Sequence, residues 1–325
     1  MKASRAVIRS NGGPEVIEWE EVDVPAPAAG EVVMANDAVG LNYIDTYHRR
    51  GIYPGALPDG LGLEAAGRIV AAGPGSAFRE GDRVATFGPA RGAYSTTRIV
   101  REEALLRVPE GVDAETAAAV LLKGCTAEFL VERCAKVEAG MDVLVHAAAG
   151  GVGLLLVQWL KAVGARVIGT VSSEDKAALA RAHGADDIVM YTREDTAKRV
   201  RELTGGKGVR VTFDGVGLDT WEASLDSTGR RGLIVSYGNA SAPVTGISLG
   251  VLATKGSLYN TRPTLFDYYA GAEEREAGVA RLWEMIRSGK LKVTVGARYP
   301  LHDAARAHED LEARRTTGSV LLLPS

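Results

Sequence analysis

Two rhythms of apolar and polar residues divide this chain. Up to about residue 124, short apolar runs such as Glu31-Val32-Val33-Met34-Ala35, Arg68-Ile69-Val70-Ala71-Ala72 and Arg83-Val84-Ala85-Thr86-Phe87 are separated by turn-forming stretches. Asn11-Gly12-Gly13-Pro14, Gly73-Pro74-Gly75 and Glu80-Gly81-Asp82 are examples. Strand-length runs separated by turn residues predict an irregular, partly open β-barrel. From about 125 to 262, apolar strands alternate with helical segments. The expected strands are Asp142–Val145, Arg166–Val171, Asp187–Met190, Val209–Phe213, Leu233–Tyr237 and Ser257–Asn260. The expected helices include Gly151–Val163, Asp175–His183, Glu194–Leu203 and Asp219–Ser227. That alternation predicts a doubly wound parallel sheet. From 263 onward we expect a helix over Glu273–Ser288, a short strand at Leu291-Lys292-Val293, a helix over Asp303–Arg314 and a last strand, Ser319–Leu323. This tail is expected to return to the first domain and complete it.

Composition narrows the function classes. The 325 residues are 46% hydrophobic and 24% charged, ordinary for a globular chain with room for two cores. A net charge of −3 offers no basic field to nucleic acid. No run approaches the roughly 18 apolar residues of a membrane span. The start, Met1-Lys2-Ala3-Ser4-Arg5-Ala6-Val7, has no signal-like apolar region. Cys125 and Cys134 are too few for a disulfide framework, so a reduced, cytoplasmic protein is expected.

The most informative stretch is His146-Ala147-Ala148-Ala149-Gly150-Gly151-Val152-Gly153, set between an apolar strand and a long apolar helix. Glycines there let the backbone approach a pyrophosphate at the helix N-terminus. Ala148 stands where the usual fingerprint has its first glycine, so the strand and helix around the loop carry the reading. The next strand ends Gly169-Thr170-Val171-Ser172-Ser173, without the carboxylate that would bind a ribose 2′-hydroxyl and select NAD. Lys176 and Tyr191 follow. Alone, Lys176 reads as a solvated helix lysine, and Glu174 and Asp175 stand beside it. Hydroxyls and a cation together at that strand end suit a 2′-phosphate, hence NADPH.

These residues resemble the medium-chain dehydrogenase/reductase superfamily, and within it the zinc-free NADPH:quinone oxidoreductases of the ζ-crystallin group. The carriers span the chain: Gly12–Val16, Gly40–Tyr47, Gly60–Gly67, Lys123–Ala127, Ala147–Gly153 and Val235–Asn239. The resemblance implies a GroES-like catalytic β-barrel domain (1–124 and 263–325) split around a Rossmann NADPH-binding domain (125–262). It implies no metal, because Asn42 stands where zinc members have Cys and Leu63 where they have His. Glu64 alone cannot make a zinc site. The five histidines show no ligand spacing and read as surface or strand-end residues.

The resemblance further implies hydride transfer from NADPH to a small quinone in a metal-free cleft between the domains, with placement of the two partners as the protein's main task. Asn42, Asp45, Tyr47, Tyr53 and Thr126 are the implied catalytic residues. Asn42 or Tyr47 would hydrogen-bond an acceptor oxygen, and Asp45 would orient its neighbours. Asn42, Tyr43, Thr126, Leu130, Gly150, Gly151, Val152, Gly153, Ser172, Ser173, Lys176, Tyr191, Gly215, Tyr237, Gly238, Asn239, Arg262 and Arg314 are the implied cofactor contacts. Gly215 replaces an expected serine, and Leu63 a small polar residue. Relatives imply a homodimer paired through strands such as Ser257–Asn260. The competing readings are an NADPH-dependent enone or 2-alkenal double-bond reductase, and a non-enzymatic NADPH- and RNA-binding crystallin-like protein.

Overall fold

A buried sheet of six parallel strands carries the middle of the chain in the computed structural model, which describes residues 1–324. Across the sheet the strands run Asp187–Met190, Arg166–Val171, Asp142–Val145, Val209–Asp214, Thr228–Ser236 and Tyr259–Thr261. In chain order this is 3-2-1-4-5-6, the doubly wound dinucleotide-binding order. The apolar run after the glycines forms the helix Gly151–Val163, with Leu154 through Leu160 all buried. Gly164 ends that helix in the left-handed region at φ 94°. The expected strand Leu233–Tyr237 is longer, Thr228–Ser236, and the helix expected from Asp219 is a 3₁₀ turn followed by Trp221–Ser227.

This unit covers Gly124–Lys292, so it keeps residues 263–292, which the sequence reading had placed with the first domain. Side chains far apart in sequence hold them there. Tyr269 Oη donates to Glu128 Oε2 at 2.6 Å, and Arg133 Nη1 to Tyr268 O at 2.7 Å. Trp159 Nε1 and Arg281 Nε both donate to Glu132 Oε1, at 2.9 and 3.0 Å. The Gln158 amide takes both backbone groups of Lys292, at 2.8 and 3.1 Å. The strand expected at Leu291-Lys292-Val293 therefore does not form there; pairing begins at Val295.

The other unit comprises Met1–Lys123 and the segment from Val293 on. Its main sheet runs Val295–Pro300, Ser319–Leu323, Glu31–Leu41, Glu64–Ala72, Arg83–Phe87 and Leu105–Arg107, with Thr97–Arg101 also on Glu31–Leu41. A second sheet holds Glu18–Asp23, Lys2–Ile8 and Asp59–Gly60. The terminal strand does return as expected, pairing Val320 with Leu41. Val32, Met34, Val39, Leu41, Leu61 and Ile69 sit in the core of this unit. Register shifts at Val33/Met34 and Asn36/Ala38 bend the strand that delivers Asn42 to the start of the helix Tyr43–Arg50.

Candidate active site

In the parallel-sheet unit, the glycine loop joins the end of Asp142–Val145 to its helix. Gly150 is the extended N-cap and no side chain caps the helix, so the first backbone N–H groups, from Gly151, Val152 and Gly153, are presented to a ligand. A Cβ on Gly153 would lie 2.2 Å from Ala147 O, which explains glycine at that position. Ala147 itself has φ 52°, a strained conformation for a non-glycine residue. His146 holds the loop from beneath. Its Nδ1 and Nε2 lie 3.1 Å from Thr170 Oγ1 and Ser224 Oγ, and Ser224 Oγ donates to Asp214 Oδ2 at 2.6 Å. Burial pushes the His146 pKa down.

The next strand end gathers the other nucleotide candidates. Ser173 is the N-cap of the helix Glu174–Ala182, accepting Lys176 N at 3.4 Å. Tyr191 N donates to Val171 O, and Thr192 Oγ1 to Ser172 O, so Ser172, Ser173, Lys176 and Tyr191 come together. Glu174, the nearest carboxylate in sequence, pairs with Arg193 at 2.9 Å. Farther along the sheet edge, a Cβ on Gly215 would sit 2.7 Å from the Tyr237 ring, so the phenol fills the space where a serine was expected. With its amide oriented to donate to Gly238 O at 2.9 Å, Asn239 accepts from Arg262 Nη2 at 3.2 Å. Gly215, Tyr237, Gly238, Asn239 and Arg262 thus form a second group. Thr126 is buried on the helix Ala114–Glu128. Leu130 has no exposed surface, so it backs the core rather than lining a site as the sequence reading had it.

In the antiparallel unit, the remaining candidates lie on and beside the short helix Tyr43–Arg50, with Tyr53 just beyond its end and Arg314 just after the helix Ala304–Glu312. Tyr43, Tyr47 and Tyr53 form a run of rings, with centroids 5.9 and 5.2 Å apart, and His48 lies 5.8 Å from Tyr53. Burial and the Glu312 charge raise the Tyr43 pKa while Arg314 lowers it, so Arg314 stands within electrostatic reach of Tyr43. Asn42 Nδ2 donates to Glu64 Oε2 at 2.8 Å and to Gly40 O at 3.3 Å. Its donor end is therefore occupied, and it cannot donate to an acceptor oxygen as expected; its carbonyl end, which faces the Asp45 N–H in a capping box, keeps one lone pair.

Asp45 is fully buried. Its Oδ2 accepts Asn42 N at 2.9 Å and Tyr94 Oη at 3.1 Å, while among the described residues Oδ1 has no partner. Burial pushes its pKa up to about 7, against the pull of those donors and of Lys123. Behind it runs a buried chain absent from the sequence reading. Tyr94 Oη lies 2.9 Å from His308 Nε2, Arg49 Nη1 2.9 Å from His308 Nδ1, and Arg49 pairs with Glu312 at 2.7 Å. An arginine can only donate, so His308 Nδ1 accepts and Nε2 carries the hydrogen. Burial and Arg49 lower the His308 pKa to about 3. His146 and His308 are thus buried network residues, not the surface type expected of His308. Glu64, Tyr94, Arg49 and His308 were missed as site residues; only Glu64, a charge within the apolar stretch 61–66, carried a signal in the sequence.

Comparison with known proteins assigns the family. The alcohol dehydrogenase GroES-like domain matches residues 28–110, and the zinc-binding dehydrogenase domain residues 151–282. A quinone oxidoreductase of Pseudomonas aeruginosa is 50% identical over 99% of this chain and 100% of its own length. The chain belongs to the quinone oxidoreductase family. Another family structure, Escherichia coli quinone oxidoreductase complexed with NADPH, matches with a TM-score of 0.96 at 46% identity, covering 99% of this chain and 100% of that one. A 2-haloacrylate reductase from Burkholderia sp. is 43% identical over 98% of both chains. The second domain model is named for zinc, yet among the described residues no group of three or more His, Cys, Asp or Glu is placed to hold a metal ion. No helix among them is long and apolar enough to cross a membrane.

Proposed function

We propose that this protein is an NADPH-dependent quinone reductase. The observation that carries the reading is the strand end Val171-Ser172-Ser173 with Lys176 and Tyr191, hydroxyls and a cation in place of a carboxylate. Full-length similarity to quinone oxidoreductases supports it. When bound, reduced nicotinamide supplies the hydride. The helix N-terminus at Gly151–Gly153 holds the pyrophosphate, Ser172, Ser173 and Lys176 the 2′-phosphate, and Arg314 a further phosphate contact. The Tyr43, Tyr47 and Tyr53 rings suit a flat aromatic acceptor. Asp45 acts through Asn42 rather than on substrate, because both of its oxygens are buried.

The test is NADPH oxidation with a small quinone beside a 2-alkenal and a 2-haloacrylate. We expect the quinone to turn over fastest. A faster alkenal or haloacrylate would establish the second reading, double-bond reduction, which the 43% identical 2-haloacrylate reductase favours. We also infer that two copies pair through the edge strand Tyr259–Thr261, where Tyr259 is 63% exposed while Val251 and Leu252 pack inward. A Tyr259→Glu variant should sediment as a monomer. Two free cysteines, one of them buried, suit a reducing cytoplasm.

A further inference from the structure

Glu64 is a fully buried carboxylate with three partners. Oε1 accepts the backbone N–H of Leu122 at 2.7 Å, Oε2 accepts Asn42 Nδ2 at 2.8 Å, and Lys123 Nζ lies 3.5 Å from Oε2. Both groups facing Asn42 Nδ2, the Glu64 carboxylate and Gly40 O, are acceptors only. Turning the amide over would set its carbonyl against both, so one orientation is enforced. Asn42 Oδ1 faces the Asp45 N–H in the capping box that opens the helix Tyr43–Arg50, which favours the same orientation, and its second lone pair is left for a ligand.

We propose that Glu64 is a positioning residue that locks the Asn42 amide carbonyl-outward, so that the site recognises a ligand N–H, that of the nicotinamide carboxamide. The inference rests on the nicotinamide reading above. It gives a use to a buried carboxylate outside any cluster of metal-ligating side chains among the described residues, and it makes Asn42 a determinant of cofactor recognition rather than of quinone binding.

Replacing Glu64 by glutamine makes a directional prediction. The Leu122 N–H is a fixed donor, so the glutamine oxygen must face it and the glutamine NH₂ must face Asn42. Asn42 then turns its carbonyl inward to that NH₂, giving up the Asp45 N–H of the capping box, and offers its own NH₂ to the ligand. The probe is calorimetric binding of NADP⁺ against its 3-acetylpyridine analogue, which keeps the carbonyl and lacks the N–H. Wild-type enzyme should prefer NADP⁺ by roughly three- to tenfold, the worth of one net hydrogen bond. Asn42→Ala should erase that gap, and Glu64→Gln should erase or reverse it. Glu64→Gln strands the buried Lys123 charge, so the double variant Glu64→Gln/Lys123→Met repeats the test without an unpaired cation. A wild-type enzyme that binds both nucleotides equally, or glutamine variants that keep the full gap, would overturn this inference alone. An enzyme that binds neither nucleotide would overturn the cofactor reading with it.

Discussion

The two units each bury a histidine in a chain of hydrogen bonds that ends on an aspartate, and the two ends differ. In the parallel-sheet unit, Ser224 donates to Asp214, so its oxygen accepts from His146 Nε2 and Thr170 donates to Nδ1. In the antiparallel unit, Arg49 donates to His308, His308 to Tyr94 and Tyr94 to Asp45. Both chains fix the same tautomer. Asp214 also takes the N–H groups of Val216 and Gly217 and the Thr220 hydroxyl, at 2.8 to 3.0 Å, which engages both oxygens. Asp45 receives two donors on a single oxygen and none on the other. A saturated carboxylate is a strut, whereas an under-satisfied one in the same kind of chain is held close to its own titration. The chain behind Asp45 is no proton wire, because the Arg49 guanidinium holds its protons and has no lone pair with which to accept another.

The sharpest way to break this comparison is pH. His308 is held neutral, with a folded pKa near 3 against 6.5 for the ordinary group. Its contribution is therefore complete above pH 6.5 and is lost as pH falls toward 3, roughly 5 kcal/mol at the limit and about 2 by pH 5. His308→Gln, which keeps one acceptor and one donor, should abolish that acid loss in urea unfolding measured at pH 7 and pH 5. An unchanged acid slope would show that His308 is not the group titrating. Asp45 works in the opposite sense. With its pKa raised from 3.8 to about 7, its favourable contribution is present below pH 3.8 and is lost as pH rises to 7. Asp45→Asn should therefore gain on wild type by roughly 4 kcal/mol between pH 4 and pH 8.

The nucleotide unit should break at its backbone instead. Gly153→Val drives a side chain into Ala147 O and should cost about 3 kcal/mol or more, together with saturable NADPH binding by fluorescence titration. Lys176→Ala should leave the fold intact and lower the NADPH-over-NADH preference about ten- to a hundredfold, the worth of one charge-assisted hydrogen bond. The smallest effect is expected from Ser224→Ala, about 1 kcal/mol in thermal or urea unfolding. A larger loss there than for Tyr94→Phe would reverse the ranking of the two chains.

The nucleotide half was legible because its elements are local. Asp142–Val145, Gly151–Val163, Arg166–Val171 and Asp187–Met190 fall where the apolar pattern puts them, and the loop between the first two advertises itself by its glycines. Residues 263–292 were assigned to the other domain because the contacts that keep them, Tyr269 to Glu128 and Gln158 to Lys292, join positions more than a hundred residues apart. The same distance hid the chain behind Asp45: Arg49 and His308 meet across 259 positions, and nothing in either neighbourhood announces the other.

The order of apolar and polar residues was enough to determine the two-domain α/β plan, the glycine turn between the first strand and helix of the parallel sheet, and the absence of an acidic strand tip, since each depends on neighbours a few residues away. Tertiary structure alone decided which end of Asn42 meets Glu64, which of two buried aspartates is left under-bonded, and where the domains divide. Hydrogen-bond direction and desolvation depend on partners from distant parts of the chain, and only the folded state brings them together.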